Sequence, residues 1–206
     1  MSRTVATVET FGRIDILVNG VATYNLKGVL DMTVEEFRRQ IDVMLSGAFL
    51  FTKHAAKVMI EGKRGGSIIH IGSTEAYQGN PMNVGYCTGK AGILSMARAN
   101  AMELAPYGIR VNTITPTATD PAEMFERVTR WGRPKMTERD SSLSSFDLAR
   151  RRMQLLPTKQ GPSPADYGHA AAFLSSDEAR FITGLDVRVD CGAVAKYWGW
   201  TEQTLT

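Results

Sequence analysis

Three residues in the middle of the chain carry side chains that could together move a proton. Ser73 precedes Tyr86 by thirteen residues, and Lys90 follows Tyr86 by four. A phenol, with a pKa near 10, is a weak acid–base catalyst at neutral pH. A nearby ammonium favours the phenolate and lowers that pKa, and a serine hydroxyl can hold a carbonyl or alcohol oxygen against the phenol. These residue types therefore indicate acid–base chemistry at a carbon–oxygen bond.

The elements that must position these side chains favour the same interpretation. An apolar run at 67–71 follows two glycines and is typical of a buried strand, with Ser73 just past its end. Tyr86 and Lys90 are spaced to lie on one face of a helix. A Tyr-x-x-x-Lys pair alone is more typical of an exposed helix surface. The serine at the end of a strand shifts the balance towards function.

In this setting Ser73, Tyr86 and Lys90 resemble the active site of the short-chain dehydrogenase/reductase family, and the resemblance extends over about 11–192. It implies hydride transfer between NAD or NADP and a secondary alcohol or ketone. Tyr86 would be the general acid/base, and Ser73 would orient the substrate oxygen. Lys90 would lower the pKa of Tyr86 and bind the nicotinamide ribose.

The resemblance also implies a set of cofactor contacts: Asn19, Gly20, Tyr86, Lys90, Pro116 and Thr119. The chain departs from the family pattern at three places. It has Asn-Gly-Val-Ala at 19–22 where the family usually has Asn-Asn-Ala-Gly, and Thr117 follows Pro116 in place of a glycine. Met44 occupies the position of an asparagine that links the lysine to solvent through a water. A thioether cannot replace that amide, so the proton relay is expected to be weaker.

Apolar runs at 14–19, 67–71, 110–114 and 185–189 alternate with helical patterns at 33–62 and 86–107 and with one that begins after Ser163. Thr33 and Ser163 are the expected N-caps. This order predicts an α/β fold, a partial Rossmann-like doubly wound parallel sheet in a single domain over 1–206. The family fold has seven strands. The Gly-rich phosphate turn that follows its first strand has no counterpart here, so we expect the first three strands to be absent and the strand at 14–19 to be an edge.

Composition narrows the function classes further. The net charge of +3 does not favour nucleic acid, no apolar run approaches the length of a membrane span, and the cysteines and histidines form no metal-ligand pattern. These features favour a cytoplasmic enzyme without a metal.

The long connection at 120–160 is expected to cover the substrate, and its aromatic residues suit a small apolar or cyclic alcohol or ketone. The resemblance implies a homodimer or homotetramer formed through the helices at 33–62 and 86–107. The alternative is a catalytically impaired fragment, or a non-catalytic association module, because the Gly-rich cofactor motif is missing.

Overall fold

The fold is known from a computed structural model that describes residues 3–120, 145–197 and 199. Within these residues, four strands form one parallel sheet in the order β1-β2-β3-β4. The strands are β1 Ile16–Asn19, β2 Gly66–Ile71, β3 Ile109–Pro116 and β4 Asp186–Val189. The predicted α/β class and parallel sheet are thereby confirmed. The four strands lie where the apolar runs predicted them, with ends that differ by one or two residues.

The helices alternate with the strands along the chain. They are α1 Arg3–Phe11, α2 Val34–Ile41, α3 Gly47–Gly62, α4 Val84–Leu104, α5 Ser145–Met153 and α6 Pro164–Ser175. Thr33 caps α2 and Ser163 caps α6, each in a reciprocal capping box, as the sequence predicted.

The helix predicted over 33–62 is confirmed as one run over Val34–Gly62, but it is not α-helical throughout. A π-helical turn at Asp42–Ser46 separates α2 from α3. This turn carries Met44, which is fully buried. A β-carbon at Gly89 of α4 would lie 2.7 Å from Met44 Cε, so the two helices meet closely here. The wider turn keeps a bulky side chain in this contact, which helical periodicity does not reveal.

Neighbouring strand residues point to opposite sides of the sheet, and helices cover both sides. Ile68 and Val111 pack with Ala56 of α3 and Ala97 of α4 on one face. On the other face, Ile69 and Ile114 pack with Leu174 of α6, in a separate cluster. The parallel order and the two covered faces are those of a doubly wound sheet.

β1 pairs with β2 and with no other strand of the described part of the chain. Its residues Ile16 and Val18 are each 50% exposed, although both are strongly apolar. The sequence-based expectation of an apolar edge strand thus describes this part of the sheet. The four observed strands do not confirm the expectation that the first three strands of the family fold are absent.

The segment Val34–Gly62 is long and apolar enough to cross a membrane by length and composition. The sequence-based statement that no run approaches such a length is therefore wrong for this segment. One face of α3 is nevertheless buried in the protein, at Ala48, Thr52, Ala55, Ala56 and Met59. Core helices of soluble proteins can have the same length and composition, and α3 packs on the sheet as such a helix does.

Candidate active site

The three residues predicted to act on the substrate come together at the carboxyl end of β2. Ser73 lies two residues beyond the strand and is 9% exposed. Its hydroxyl caps a short 3₁₀ turn and accepts a hydrogen bond of 3.2 Å from the backbone N–H of Glu75. Because that N–H occupies a lone pair, the hydroxyl proton of Ser73 remains available to donate.

Tyr86 and Lys90 lie in the first two turns of α4 and face the same region. The Ser73 hydroxyl lies close enough to the Tyr86 phenol to favour its phenolate. The Lys90 ammonium lies 5.6 Å from the centroid of the Tyr86 ring. The predicted i, i+4 relation therefore brings phenol and ammonium near each other, with the serine on the other side.

The expected lowering of the Tyr86 pKa by Lys90 is not found. Burial raises the pKa of Tyr86, and the negative charge of Glu75 raises it further, whereas the Ser73 hydrogen bond lowers it. The Lys90 ammonium instead donates a hydrogen bond of 2.7 Å to the carbonyl of Ile71. Burial therefore has the largest effect on the pKa of Tyr86, because a phenolate that is removed from water is costly.

Lys90 itself is almost fully buried, at 1% exposed. Burial lowers its pKa to about 8. Among the described residues, Ile71 supplies the one hydrogen-bond acceptor that the ammonium contacts. An ammonium has three donors. Two are therefore available for a ligand, and hydroxyl groups of a nicotinamide ribose would suit them.

Met44 fills the position where the family pattern has an asparagine. Its side chain is fully buried and lies against Gly89, the neighbour of Lys90. A thioether at this point gives the lysine no strong hydrogen-bonding partner. The expectation of a weakened relay therefore stays a prediction.

Predicted cofactor residues lie at or just beyond the carboxyl ends of β1 and β3, the two strands that flank β2, where ligands bind in open α/β sheets. Asn19 ends β1, and Pro116 ends β3. Thr119 follows three residues later, with its hydroxyl 3.1 Å from the Tyr167 hydroxyl. A β-carbon at Gly20 would lie 3.5 Å from Ile71, an ordinary contact, so the position is not sterically reserved for glycine.

The side chain of Asn19 is used within the protein. Its carboxamide oxygen accepts from the Val21 backbone at 3.3 Å and thereby closes the turn, and its Nδ2 lies 3.4 Å from His70 Nδ1. Thr52 donates to the Ala48 carbonyl, so it accepts from His70 Nε2 at 3.2 Å. His70 is fully buried and therefore neutral, with its pKa lowered to about 4 by burial and by Lys90. Sequence reasoning missed this network because its members are distant along the chain.

Two further neighbours of Tyr86 were also missed. The Tyr24 ring meets the Tyr86 ring edge-on, with centroids 6.3 Å apart. Glu75 lies in the loop between Ser73 and Tyr86, and its carboxylate accepts from Asn80 and Asn83. An acid two residues after Ser73 was a signal visible in the sequence, whereas nothing local marked Tyr24.

Much of the predicted substrate-covering connection at 120–160 lies outside the described residues, which omit 121–144. Of the rest, 145–153 form α5. The described residues contain no group of three or more His, Cys, Asp or Glu side chains that could hold a metal ion.

Comparison with known proteins identifies the family. A family model described as enoyl-(acyl carrier protein) reductase matches residues 2–194. Because that match starts at residue 2, it gives no support to the expected N-terminal truncation. L-rhamnose 1-dehydrogenase (NAD(P)(+)) of Azotobacter vinelandii is 34% identical over 91% of this chain and 67% of its own length.

Two other proteins are similar over comparable lengths. Galactitol 2-dehydrogenase of Agrobacterium fabrum is 31% identical over 89% of this chain and 70% of its own length. A crystal structure of NAD+-bound xylitol dehydrogenase superposes with a TM-score of 0.75 and 28% identity, and the match covers 90% of this chain and 71% of that one. All three are named dehydrogenases, and the names of the rhamnose and xylitol enzymes include NAD(P)(+) and NAD+ respectively. The chain belongs to the short-chain dehydrogenase/reductase family, whose members are NAD(P)-dependent oxidoreductases.

Proposed function

We propose that this protein interconverts a secondary alcohol and a ketone by hydride transfer with NAD or NADP, and that Tyr86 is the general acid/base. The observation that carries the proposal is the meeting of Ser73, Tyr86 and Lys90 at the carboxyl end of β2. The nicotinamide, when bound, supplies the hydride in reduction and accepts it in oxidation. Asn19, Gly20, Pro116 and Thr119 lie where they would line its site.

Each side chain has a distinct task in this proposal. In reduction, the Tyr86 phenol donates its proton to the carbonyl oxygen as the carbon gains the hydride. In oxidation, the phenolate removes the hydroxyl proton as the carbon loses the hydride. Ser73 donates its free hydroxyl proton to the substrate oxygen and holds it in place. Lys90 donates to the ribose with the hydrogens that Ile71 does not use.

The proposed role of Tyr86 predicts that loss of its hydroxyl oxygen lowers turnover strongly. Tyr86→Phe removes the hydroxyl that exchanges the proton, so kcat should fall by about 10²–10⁴-fold, the usual contribution of general acid–base catalysis. Tyr77→Phe is the matched control, because Tyr77 lies in the same loop region but its hydroxyl donates to Asp186, 2.7 Å away. Steady-state rates with rhamnose, galactitol and simple ketones measure both. Turnover retained by the Tyr86 variant would contradict the assigned role.

The named activities of the relatives support an alcohol substrate. Rhamnose, galactitol and xylitol dehydrogenases carry polyhydroxylated substrates in their names. For this chain, a substrate of that class is the first to test. A small apolar or cyclic ketone, as the aromatics at 120–160 suggested, is the second.

A non-catalytic association module is the second candidate, and the buried Met44 favours it. Titration of the purified chain with NADH and NADPH, followed by nicotinamide fluorescence, separates the two. Saturable binding supports the enzyme. Failure of the folded chain to bind either nucleotide supports the association module.

We further propose that the four strands correspond to the last four of the seven in the family sheet. The half-exposed apolar residues Ile16 and Val18 on β1 and the match to 67% of the rhamnose dehydrogenase support this correspondence. We expect a cytoplasmic homodimer or homotetramer. Phe49 and Leu50, each 49% exposed on α3, suit the expected interface.

A further inference from the structure

The carboxylate of Glu75 is surrounded by donors at the beginning of α4. Its Oε1 accepts from Asn80 Nδ2 at 2.8 Å, and its Oε2 accepts from Asn83 Nδ2 at 2.6 Å. The thiol of Cys87 contacts the same Oε2 at 3.7 Å. Asn80 belongs to the loop after β2, whereas Cys87 belongs to α4. One carboxylate therefore connects the loop to the helix.

Asn83 shows that this arrangement has a cost. It occupies the N-cap position of α4, and asparagine there normally accepts a hydrogen bond from the first turn of the helix. Here the side chain makes no capping bond, and its Oδ1 is buried without a partner in the described structure. The amide is turned towards Glu75 instead. The hydrogen bond of 2.6 Å from Asn83 Nδ2 to Glu75 Oε2 accounts for that orientation, because it offsets the cost of the orphaned oxygen.

Glu75 is also joined to both groups of the proposed proton transfer. Its backbone N–H donates to Ser73 Oγ, and the Ser73 hydroxyl lies close to the Tyr86 phenol. Its side chain reaches Cys87, the residue after Tyr86. Glu75 therefore connects the loop that carries Ser73 to the helix that carries Tyr86.

We propose that Glu75 is a positioning residue of the active site, whose carboxylate joins the loop of Ser73 to the helix of Tyr86 and so sets Ser73 opposite Tyr86. The inference rests on the proposed function, in which Tyr86 carries the proton. It assigns to Glu75 no contact with the substrate.

The groups that face Tyr86 come from three elements. Lys90 and Cys87 lie on α4, Glu75 lies in the loop after β2, and Tyr24 lies in the loop after β1. Burial is the main cause of the raised pKa of Tyr86, and Glu75 adds to it. Removing the carboxylate charge while keeping its shape should therefore favour the phenolate.

Glu75→Gln is the first variant. The Asn83 amide can turn over so that its unpartnered oxygen accepts from the new carboxamide, and the fold should survive, as checked by thermal melting. We expect the acidic limb of kcat/KM for alcohol oxidation to move to lower pH by about 0.5–1 unit, the effect of one nearby charge. Tyr77→Phe removes a hydrogen bond of the same region without a change of charge. The acidic limb of kcat/KM for this variant should not move.

Asn80→Asp is the second variant, and it decides the question if Glu75→Gln does not fold. It adds a negative charge beside Glu75, so the limb should move to higher pH. NMR titration of ¹³C-labelled tyrosine, with Tyr86 identified by Tyr86→Phe, follows the same proton without turnover. An unchanged Tyr86 titration in the folded variants overturns the proposal. A shifted titration in a protein that turns over no alcohol upholds Glu75 and refutes the proposed function instead.

Discussion

Burial of Lys90 should make the protein less stable than it would be with an apolar residue at this position. The pKa of Lys90 falls from an ordinary 10.5 to about 8 because the ammonium is desolvated. Each unit of pKa difference corresponds to about 1.4 kcal/mol, so the charged lysine costs the folded state about 3 kcal/mol. Replacing Lys90 also removes its hydrogen bond to Ile71, and this loss offsets about 1 kcal/mol of the stability gained. Lys90→Met, which preserves the length of the side chain, should therefore stabilise the fold by about 2 kcal/mol at pH 7.

The sign of the pH dependence follows from proton binding. Below pH 8 the lysine is protonated in both states, and the full cost is present. Between pH 8 and 10.5 the unfolded state binds the proton but the folded state does not, so the stability of the wild type rises with pH. The advantage of Lys90→Met should then shrink, and near pH 10.5 the Met variant should be no more stable than the wild type.

Urea unfolding followed by circular dichroism at pH 7, 8.5 and 10 measures this difference, since these pH values lie above the titration of His70, whose pKa Lys90 lowers. Lys57→Met on the exposed side of α3 is the matched control and should change stability by no more than about 0.5 kcal/mol at any of these pH values. A Lys90 variant that is less stable than the wild type at pH 7, or a difference that does not vary with pH, would refute the reasoning. Loss of nucleotide binding in the stabilised variant would indicate that the cost is retained for function.

Two other predictions follow from packing. Gly65 has a φ of +72°, and a β-carbon there would lie 2.5 Å from the Gly108 carbonyl oxygen, so Gly65→Ala should cost about 1–3 kcal/mol in urea unfolding; Gly79→Ala, with open space around it, should cost almost nothing, and equal losses would contradict the argument. Leu50→Lys on α3 should lower the mass found by light scattering if this helix forms the subunit interface, whereas Phe181→Lys, on a residue 88% exposed beyond α6, should not. A mass unchanged by the Leu50 variant would remove α3 from the interface.

The π-helical turn within the long helix and the buried polar networks were beyond sequence reasoning for a common reason. The π-helical turn at Asp42–Ser46 is associated with the close contact of Met44 and Gly89, residues on different helices. The His70 network joins three separate elements. Patterns in a sequence report the surroundings of a residue along the chain, whereas these features depend on what another element brings into contact.

The sequence by itself determined the alternation of strands and helices, the capping boxes at Thr33 and Ser163, and the gathering of Ser73, Tyr86 and Lys90. These depend on local periodicity, on short-range hydrogen bonds and on the rule that parallel strands end at one edge. Only the tertiary structure decided the protonation of the site. Burial shifts the pKa values of the Tyr86 phenol and the Lys90 ammonium. Burial depends on how the chain packs, which residue spacing does not show.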